Sequence, residues 1–269
     1  MALLKVATWN VNGIRAREAQ LLEWVQREQP DVICLQEIKS TVAQVPAALC
    51  EMQGYLCYWH GARAYSGVGL HLRREAFAEE PVFGHPDFDF ETRIVTAQLG
   101  DLVFGSVYVP NGGKDFVAKM QFLSQLESFV SQVHSSGKRI VLCGDINIAR
   151  SERDVHPKER NPNVVGQRPE ERVLFESILA RGLVDVGRAL DPENENLFTW
   201  WAPWRKMRER NIGWRIDYIL ASESLAAKAV RCNAFREVGT SDHGPVVAVF
   251  DLNGGGGARS GEAASQRPS

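Results

Sequence analysis

The sequence predicts an α/β or α+β fold in which two packed, mixed β-sheets are flanked by helices. Short apolar segments alternate with amphipathic segments of helical period along most of the chain. Predicted strands outnumber helices and several follow one another directly, which argues against a simple parallel βαβ array. The 269 residues, 44% of them apolar and 24% charged, have the composition of a globular protein and exclude collagen, coiled coil and wholesale disorder.

The individual helices and strands are predicted from apolar runs and from the Pro, Gly and turn-forming residues that bound them. Helices are predicted over 16–29, where Pro30 ends the pattern, over 116–133, where Gly137 follows, and from Pro169 towards Gly182. The strands are apolar runs bounded by turn-forming residues. They are predicted at 4–9, 32–35, 67–72, 94–99, 102–109, 139–143, 215–221 and 246–250.

The chain is expected to form one catalytic domain over 1–252, followed by a flexible Gly/Ser-rich tail at 253–269. No apolar run approaches the roughly 18 residues of a membrane span, and the first 18 residues contain no signal-peptide core. The five cysteines are an odd number without a C-x-x-C pair, so neither a disulfide framework nor a thiolate zinc site is expected. A monomeric cytoplasmic protein fits these features.

Polar residues follow five predicted strands at the point where a strand ends or begins. Asn10 and Asn12 end the first strand, and Asp145 and Asn147 end the strand near 140, so strand alternation predicts that each pair shares a face. Ligands of α/β sheets favour the rim where strands end. The remaining members of this set are Glu37, Asp217, Asp242 and His243.

These residue types favour a hard divalent cation. Carboxylate and amide oxygens with one histidine and no cysteine suit Mg²⁺, with Mn²⁺ as a substitute, rather than zinc or copper. Asp217 and His243 are candidates for a pair in which the acid fixes the imidazole tautomer. Taken singly, each Asp or Asn at a strand end is usually a turn former or helix cap. The coincidence of five such positions favours metal-assisted phosphoester hydrolysis.

A second pattern combines aromatic and basic residues. Four of the seven tryptophans lie at 200–214, and the segment 205–215 carries five basic residues against one acidic residue. Aromatic surface interleaved with guanidinium groups is typical of a nucleic-acid backbone site. The alternative is a solvated run of charges beside a tryptophan-rich core. Tyr108 is likewise either a strand aromatic or, beside a metal, a phosphate contact.

These motifs resemble those of the exonuclease III family of abasic-site (AP) DNA endonucleases, within the endonuclease/exonuclease/phosphatase superfamily. The resemblance covers about 4–251, and its blocks occur in the family's order. They are TWNVNG at 8–13, LQEIK at 35–39, YSGVG at 65–69, YVPN at 108–111, GDIN at 144–147, GWRIDY at 213–218 and SDH at 241–243. The YVPN and GWRIDY blocks are particular to the DNA-repair branch.

The resemblance implies a four-layer α/β sandwich with the site at one end of the sheets, and it implies a role for each matching residue. The metal ligands would be Glu37, Asn10 and Asp242, joined by Asp145 and Asn147, which would also orient the attacking water. The alternatives for the base that deprotonates this water are Asp145, Tyr108 and the Asp217–His243 pair. The other catalytic residues would be Tyr108, Asp217 and His243. The pocket for a baseless deoxyribose would be formed by Trp200, Trp214 and Ile216, and DNA-backbone contacts by Tyr65, Arg93 and Asn111.

The implied activity is Mg²⁺-dependent cleavage of double-stranded DNA 5′ to abasic sites, leaving a 3′-hydroxyl. Three alternatives stay open on the sequence alone. One is an enzyme specialised for blocked 3′ ends, acting as a 3′-phosphatase, 3′-phosphodiesterase or 3′→5′ exonuclease. The second is a catalytically dead nucleic-acid-binding regulator, and the third is a phosphodiesterase acting on phosphoinositide or sphingomyelin. No membrane partner is expected.

Overall fold

The computed structural model describes residues 3–62 and 65–253. Its strands are β1 (Leu3–Asn10), β2 (Val32–Gln36), β3 (Tyr55–His60), β4 (Val68–Arg73), β5 (Val82–Gly84), β6 (Ile94–Leu99), β7 (Leu102–Tyr108), β8 (Arg139–Asp145), β9 (Leu183–Asp185), β10 (Asp217–Ser222), β11 (Ala229–Ala234) and β12 (Val246–Asp251). Its α-helices are α1 (Glu18–Glu28), α2 (Ala47–Cys50), α3 (Phe116–Ser135), α4 (Pro169–Leu179), α5 (Val186–Leu190) and α6 (Glu223–Ala226).

The strands form two six-stranded sheets that pack face to face. The first has the order β11-β12-β1-β2-β4-β3 and the second β5-β6-β7-β8-β10-β9. Apolar side chains such as Val6, Leu70 and Phe104 fill the space between the sheets. A second core, including Trp24, lies between the first sheet and α1, and a third, including Phe122 and Phe175, lies between the second sheet and α3 and α4. The predicted four-layer α/β sandwich with mixed sheets is confirmed.

A parallel pair of strands lies at the centre of each sheet. In the first sheet β1 runs parallel to β2, and α1 connects them. In the second sheet β7 runs parallel to β8, and α3 connects them. The neighbouring strands β12 and β10 are antiparallel to β1 and β8, so they begin at the edge where the parallel strands end. This arrangement brings strand ends from both sheets, and strand beginnings from β10 and β12, to one rim.

The predicted elements are present, with shifts at their ends. Instead of starting at Ala16, α1 starts at Glu18, because the residues Ile14–Ala16 form a separate 3-10 turn. Instead of starting at Arg215, β10 starts at Asp217. The backbone N–H of Arg215 donates to the carbonyl of Asp154, outside the sheet, so the ladder starts two residues later. Four strands were not predicted: β3, β5, β9 and β11.

The structure also bears on the cysteines, on membrane-spanning helices and on the C-terminal tail. The five cysteines are free thiols. Within 3–62 and 65–253, no helix is both long enough and apolar enough to cross a bilayer. The tail predicted from residue 253 falls on residues 254–269, which lie outside the described part of the chain.

Candidate active site and metal centre

The rim described above places one candidate residue at each of four strand ends. Asn10 ends β1, and Glu37 directly follows β2. Tyr108 ends β7 and pairs in register with Asp145, the last residue of β8. Asp217, the first residue of β10, is the antiparallel partner of Asp145. Both sheets therefore contribute carboxylates to the same point.

Two of these side chains, Glu37 and Asp145, form a compact acidic cluster with His243. Ligand atoms of Glu37, Asp145 and His243 all lie within 4.8 Å of one another. The amide of Asn10 bridges the two sheets, since its Nδ2 donates to Glu37 Oε1 at 3.0 Å and to Asp145 Oδ2 at 2.9 Å. Asp145 and His243 are buried, and Glu37 is half-buried. The cluster thus opens to solvent mainly on the side of Glu37.

Tight turns, rather than strand alternation, bring the second residue of each polar pair to the site. The prediction that alternation places Asn12 with Asn10 and Asn147 with Asp145 is wrong about the cause. Both Asn12 and Asn147 adopt the left-handed backbone region, with φ of 46° and 55°. The backbone N–H of Asn12 donates to Asn10 Oδ1 at 3.0 Å, and that of Asn147 donates to Asp145 Oδ1 at 2.8 Å. These Asx-type turns fix the orientation of the preceding side chain.

Asp217 holds His243 in one orientation. Its Oδ2 lies 2.9 Å from Nδ1 of His243, while Nε2 lies 3.9 Å from Asp145 Oδ2. Burial by itself lowers the pKa of His243, but the Asp217, Asp145 and Asp242 carboxylates raise it to about 10. The backbone N–H of Asp217 donates to Thr199 Oγ1 at 3.1 Å, which anchors the start of β10. These carboxylates therefore favour the protonated imidazole, whose Nε2 edge faces Asp145 in the cluster.

The carboxylates of the cluster respond differently to their surroundings. Burial, assisted by Asp217 and Glu37, raises the pKa of Asp145 to about 8, although His243 opposes this shift. Burial also disfavours the charged form of Glu37, but the Asn10 hydrogen bond, the His243 charge and Lys39 hold its pKa below the ordinary value. Crowded, buried carboxylates of this kind are stabilised in their charged form by a divalent cation.

The donor set fits such an ion. The cluster offers carboxylate oxygens and no thiolate, which suits a hard oxygen-preferring metal, while the protonated imidazole lies beside these oxygens. Asp242 lies at its periphery, where its Oδ1 accepts from Asn12 Nδ2 at 2.7 Å and its Oδ2 from Trp200 Nε1 at 3.0 Å. Despite burial, the His243 charge and these hydrogen bonds hold the pKa of Asp242 below its ordinary value. Lys39, which was not predicted, pairs with Glu37 Oε2 at 2.8 Å.

Tyr108 connects the cluster to the predicted backbone contacts. Burial, together with the Glu37 and Asp145 carboxylates, raises the pKa of its phenol well above the ordinary value. The Arg93 guanidinium lies 4.9 Å from the centre of the Tyr108 ring. Arg93 also binds Glu91 Oε2 at 2.7 Å, and the Tyr65 hydroxyl donates to Glu91 Oε1 at 3.2 Å. Glu91 therefore joins the two predicted phosphate-contact residues.

An aromatic wall borders the cluster on the other side. The indole rings of Trp200 and Trp214 meet edge to face at 5.4 Å, and Trp200 lies 6.5 Å from the His243 ring. Ile216 packs against both indoles, together with Ala149. The three predicted pocket residues thus lie together, beside the imidazole.

The predicted basic segment is only partly a surface. Arg215 is buried, with its guanidinium bound to Asp185 and Asp154, so it braces the loop behind the pocket instead of facing solvent. Trp201 is likewise buried in a local core. The exposed members are Trp204, with 59% of its surface accessible, and neighbours that include Arg205 and Lys206. The exposed charges beside the buried Trp201 core match the alternative interpretation, and a nucleic-acid backbone site on the exposed residues stays a prediction.

A buried ion pair that the sequence did not reveal supports the same site. Lys119 on α3 and Glu171 on α4 pair with each other, and both side chains are fully buried. The Lys119 ammonium also donates to the backbone carbonyls of Asn147 at 2.8 Å and Asn111 at 3.2 Å. Asn111 Nδ2 in turn donates to Asn147 Oδ1 at 3.2 Å. In the sequence Lys119 looks like any polar residue of an amphipathic helix, and only the packing of α3 on α4 distinguishes it.

Comparison with known proteins agrees with this geometry. Residues 7–243 match the profile of the Endonuclease/Exonuclease/phosphatase family, a range that contains every predicted site residue. The chain belongs to this family. Its fold and its acidic cluster at the sheet rim are those of a metal-dependent nuclease.

Within the Endonuclease/Exonuclease/phosphatase family, the chain is similar to DNA-repair nucleases. An exodeoxyribonuclease of Bacillus subtilis is 33% identical over 93% of this chain and 100% of its own length. The solved structure of an AP endonuclease from Archaeoglobus fulgidus superposes with a TM-score of 0.84, at 31% identity, covering 93% of this chain and 100% of that one. The 3′ phosphatase NExo from Neisseria, solved with product DNA hairpin, also has a TM-score of 0.84, at 32% identity over 92% and 99% of the two chains.

Proposed function

We propose that this protein hydrolyses the phosphodiester bond 5′ to abasic sites in double-stranded DNA, leaving a 3′-hydroxyl and a 5′-deoxyribose phosphate. The observation that carries the proposal is the acidic cluster of Glu37, Asp145 and His243, within 4.8 Å, beside the wall of Trp200 and Trp214. The cluster suits phosphoester hydrolysis, and the adjacent wall suits a flipped-out sugar. The similarity to exodeoxyribonucleases and AP endonucleases supports the same activity.

Glu37 and Asp145 would hold Mg²⁺ or Mn²⁺, with Asn10, Asn147 and Asp242 around them. When bound, the ion offsets negative charge on the phosphoryl oxygens. Asn10 keeps the two carboxylates at a fixed separation through its two hydrogen bonds. Because this contact crosses from one sheet to the other, the ligands are positioned by the packing of the whole sandwich.

The charges of the cluster suggest how protons move. Water adds its oxygen to phosphorus, and Asp145, oriented by Asn147, accepts the water proton. The bond from phosphorus to the 3′ oxygen breaks, that oxygen takes a proton from solvent to become a hydroxyl, and Asp145 returns its proton to solvent. The raised pKa values of Tyr108 and His243 favour their protonated forms, which suits donors to the phosphoryl oxygens. The pKa of Asp145 is also raised, so its role as the base requires a bound cation, whose positive charge would favour the carboxylate. Asp217 serves by holding the imidazole in place.

Selection of the substrate would follow from the shape of the aromatic wall. An abasic sugar leaves the helix at lower cost than a paired nucleotide, since little stacking is lost. A pocket bounded by Trp200, Trp214 and Ile216 accepts the bare sugar and excludes a nucleotide that carries its base. Contacts from Tyr65 and Arg93, together with Asn111, to the sugar-phosphate backbone would hold the flanking strand.

A second candidate is specialisation for blocked 3′ ends, because the similar Neisseria protein is described as a 3′ phosphatase. Abasic-site cleavage and 3′-end processing would use the same acidic cluster. They differ in whether the pocket must accept a sugar in the interior of a strand. Double-stranded DNA with abasic sites or blocked 3′ ends is thus the proposed partner. One catalytic domain over 1–252 and a monomeric state remain predictions.

The test is a nicking assay on a duplex that contains one tetrahydrofuran abasic analogue, run beside an intact duplex and a duplex with a 3′-phosphate. We expect Mg²⁺-dependent cleavage 5′ to the analogue, inhibition by EDTA and survival of the intact duplex. Asp145→Ala and His243→Ala should each lower turnover by at least about 100-fold. Asp101→Asn is the matched control, since Asp101 is an exposed carboxylate that pairs with Arg139 at the opposite end of β7.

The outcomes separate the alternatives. Faster processing of the 3′-phosphate duplex than of the internal analogue would favour the 3′-end enzyme. Tight DNA binding without turnover in any arm would point to a regulator with dead chemistry. Hydrolysis of phosphoinositide or sphingomyelin with no cleavage of DNA would contradict the proposal altogether.

A further inference from the structure

A second group of metal-ligating side chains lies on the same rim, outside the cluster described above. His60, His85 and Asp89 each offer one ligand atom, and these atoms all lie within 4.8 Å of one another. His60 ends β3 and is paired with Val68, the residue that pairs with Gln36 in β2. The group is therefore two strands away from the end of β2, or about 10 Å across the sheet.

The carboxylate of this group is held in advance of any ligand. Oδ1 of Asp89 accepts from the backbone N–H groups of Arg93 at 2.8 Å and Ile94 at 3.1 Å. Its other oxygen, Oδ2, is therefore fixed and lies 2.5 Å from Nε2 of His60. Both the His60 and Asp89 side chains are largely shielded from solvent.

His85 supplies the third ligand from an exposed position. Its ring stacks on His60, with centroids 4.4 Å apart and planes 12° from parallel. Two parallel imidazoles cannot both point a lone pair at one ion, so ligation requires the exposed His85 ring to rotate. The segment that carries the group is anchored underneath, because Phe88 and Phe90 both pack edge to face on Phe122.

We propose that His60, His85 and Asp89 form a second cation site, which binds Zn²⁺ or a similar borderline transition metal. Two imidazoles and one carboxylate are a typical zinc ligand set that leaves a fourth position open. They differ from the oxygen-rich cluster of Glu37 and Asp145, which suits Mg²⁺. A simple ion pair would explain His60 with Asp89, but it gives no role to the exposed His85 stacked over them.

Occupation of this site would stiffen the segment that leads to the proposed active site. The Asp89 carboxylate, which would bind the ion, also accepts a hydrogen bond from the backbone N–H of Arg93. The guanidinium of Arg93 lies over the Tyr108 ring, 4.9 Å from its centre. A metal ligand is therefore one hydrogen bond away from a predicted DNA-backbone contact. The proposal does not depend on the nuclease activity, because it rests on a separate ligand set.

The test is calorimetric titration of Zn²⁺ into the full chain with Mg²⁺ in large excess, so that the oxygen-rich cluster is already occupied. We expect one Zn²⁺ equivalent to bind, and His85→Ala to weaken it at least about tenfold. His85 is exposed, so this substitution should leave the fold intact, and His60→Ala is the second variant. His156→Ala is the matched control, because His156 lies outside the group and caps a short turn through Lys158.

An independent readout is amide hydrogen exchange at Arg93 and Ile94, which should slow on addition of Zn²⁺ in the unsubstituted protein and not in His85→Ala. Unchanged Zn²⁺ stoichiometry and affinity in both His85→Ala and His60→Ala would overturn the proposal. Loss of Zn²⁺ binding in His156→Ala alone would also overturn it, because the ion would then bind elsewhere. Nuclease assays in Mg²⁺ are a separate measurement, so either proposal can fail without the other.

Discussion

His71 in β4 is a buried imidazole whose two ring nitrogens have no hydrogen-bond partner among the described residues. Its ring packs against the Trp59 indole at a centroid distance of 4.4 Å. Burial lowers its pKa from 6.5 to about 3. The folded protein therefore keeps this histidine neutral at pH values where an unfolded chain would protonate it.

The sign of the pH effect follows from this difference. Below pH 6.5 His71 is protonated in the unfolded state but stays neutral in the native state. The free energy of unfolding therefore falls as the pH is lowered towards about 3. Between pH 8 and pH 5 the loss from His71 alone is about 2 kcal/mol. His71→Leu, which cannot titrate, should abolish this part of the pH dependence when urea unfolding is measured at both pH values.

His156→Gln provides the comparison, since burial also lowers the pKa of the half-buried His156, but less than that of His71, so this substitution should remove a smaller part of the pH dependence. Removing unpartnered polar nitrogens in favour of an apolar group of similar size is also expected to leave stability at pH 8 nearly unchanged. If the free energy of unfolding fell equally from pH 8 to pH 5 in His71→Leu and in the unsubstituted protein, His71 would not be a source of the pH dependence.

At the scale of residues, the sequence predicts which groups meet at the site but not how they are held. Asn10, Glu37 and Asp145 were predicted from strand ends, because a parallel sheet brings such ends together. The left-handed turns at Asn12 and Asn147 were not, since an Asn in that conformation has no distinctive sequence pattern. Lys119 was missed because its partner, Glu171, lies 52 positions along the chain, and only tertiary packing joins them.

At the scale of elements, the strands that were not predicted all lie at the edges of the two sheets. β3 and β11 are the edges of the first sheet, and β5 and β9 are the edges of the second. Edge strands are short and often carry polar residues, since one side of the ladder faces solvent or a loop. β5 and β9 have only three residues each, and β11 has no buried residue. The central strands, buried on both faces, produce the long apolar runs that a sequence reveals.

The pairing of α3 with α4 through Lys119 and Glu171 has a measurable consequence. Lys119→Met alone leaves a buried carboxylate without its partner and should destabilise the fold by about 3–5 kcal/mol. The double variant Lys119→Met with Glu171→Gln removes both charges, and the amide oxygen can still accept from the N–H groups of Gly166 and Arg168. Urea unfolding should therefore show the double variant to be more stable than Lys119→Met.

Turnover should not recover with stability in the double variant. Methionine cannot donate to the carbonyls of Asn147 and Asn111, so the loops that carry these residues lose their tether. We expect single-turnover cleavage of the abasic duplex to slow by about tenfold at saturating protein, since small displacements of catalytic groups are costly. If the double variant cleaved the duplex as fast as the unsubstituted protein, the Lys119 ammonium would have no positioning role.

At the scale of the whole molecule, the candidate metal ligands belong to different sheets. Glu37 extends from the first sheet and Asp145 from the second, and the Asn10 amide is the hydrogen-bonded bridge between them. A cation held by both carboxylates would bind the folded sandwich and not the unfolded chain. Its binding free energy would then add to the stability of the entire fold.

Thermal unfolding with and without Mg²⁺ measures this linkage. At a Mg²⁺ concentration ten times the dissociation constant, the native state gains about 1.4 kcal/mol. For a domain of this size, that gain corresponds to a rise of about 3–5 °C in Tm. Glu37→Gln and Asp145→Asn should each remove most of the rise, whereas Asp101→Asn should keep it because Asp101 lies at the far end of the second sheet. If both site variants retained the full increment, the ion would be stabilising the protein from another location, and the proposed metal centre at the shared rim would be wrong.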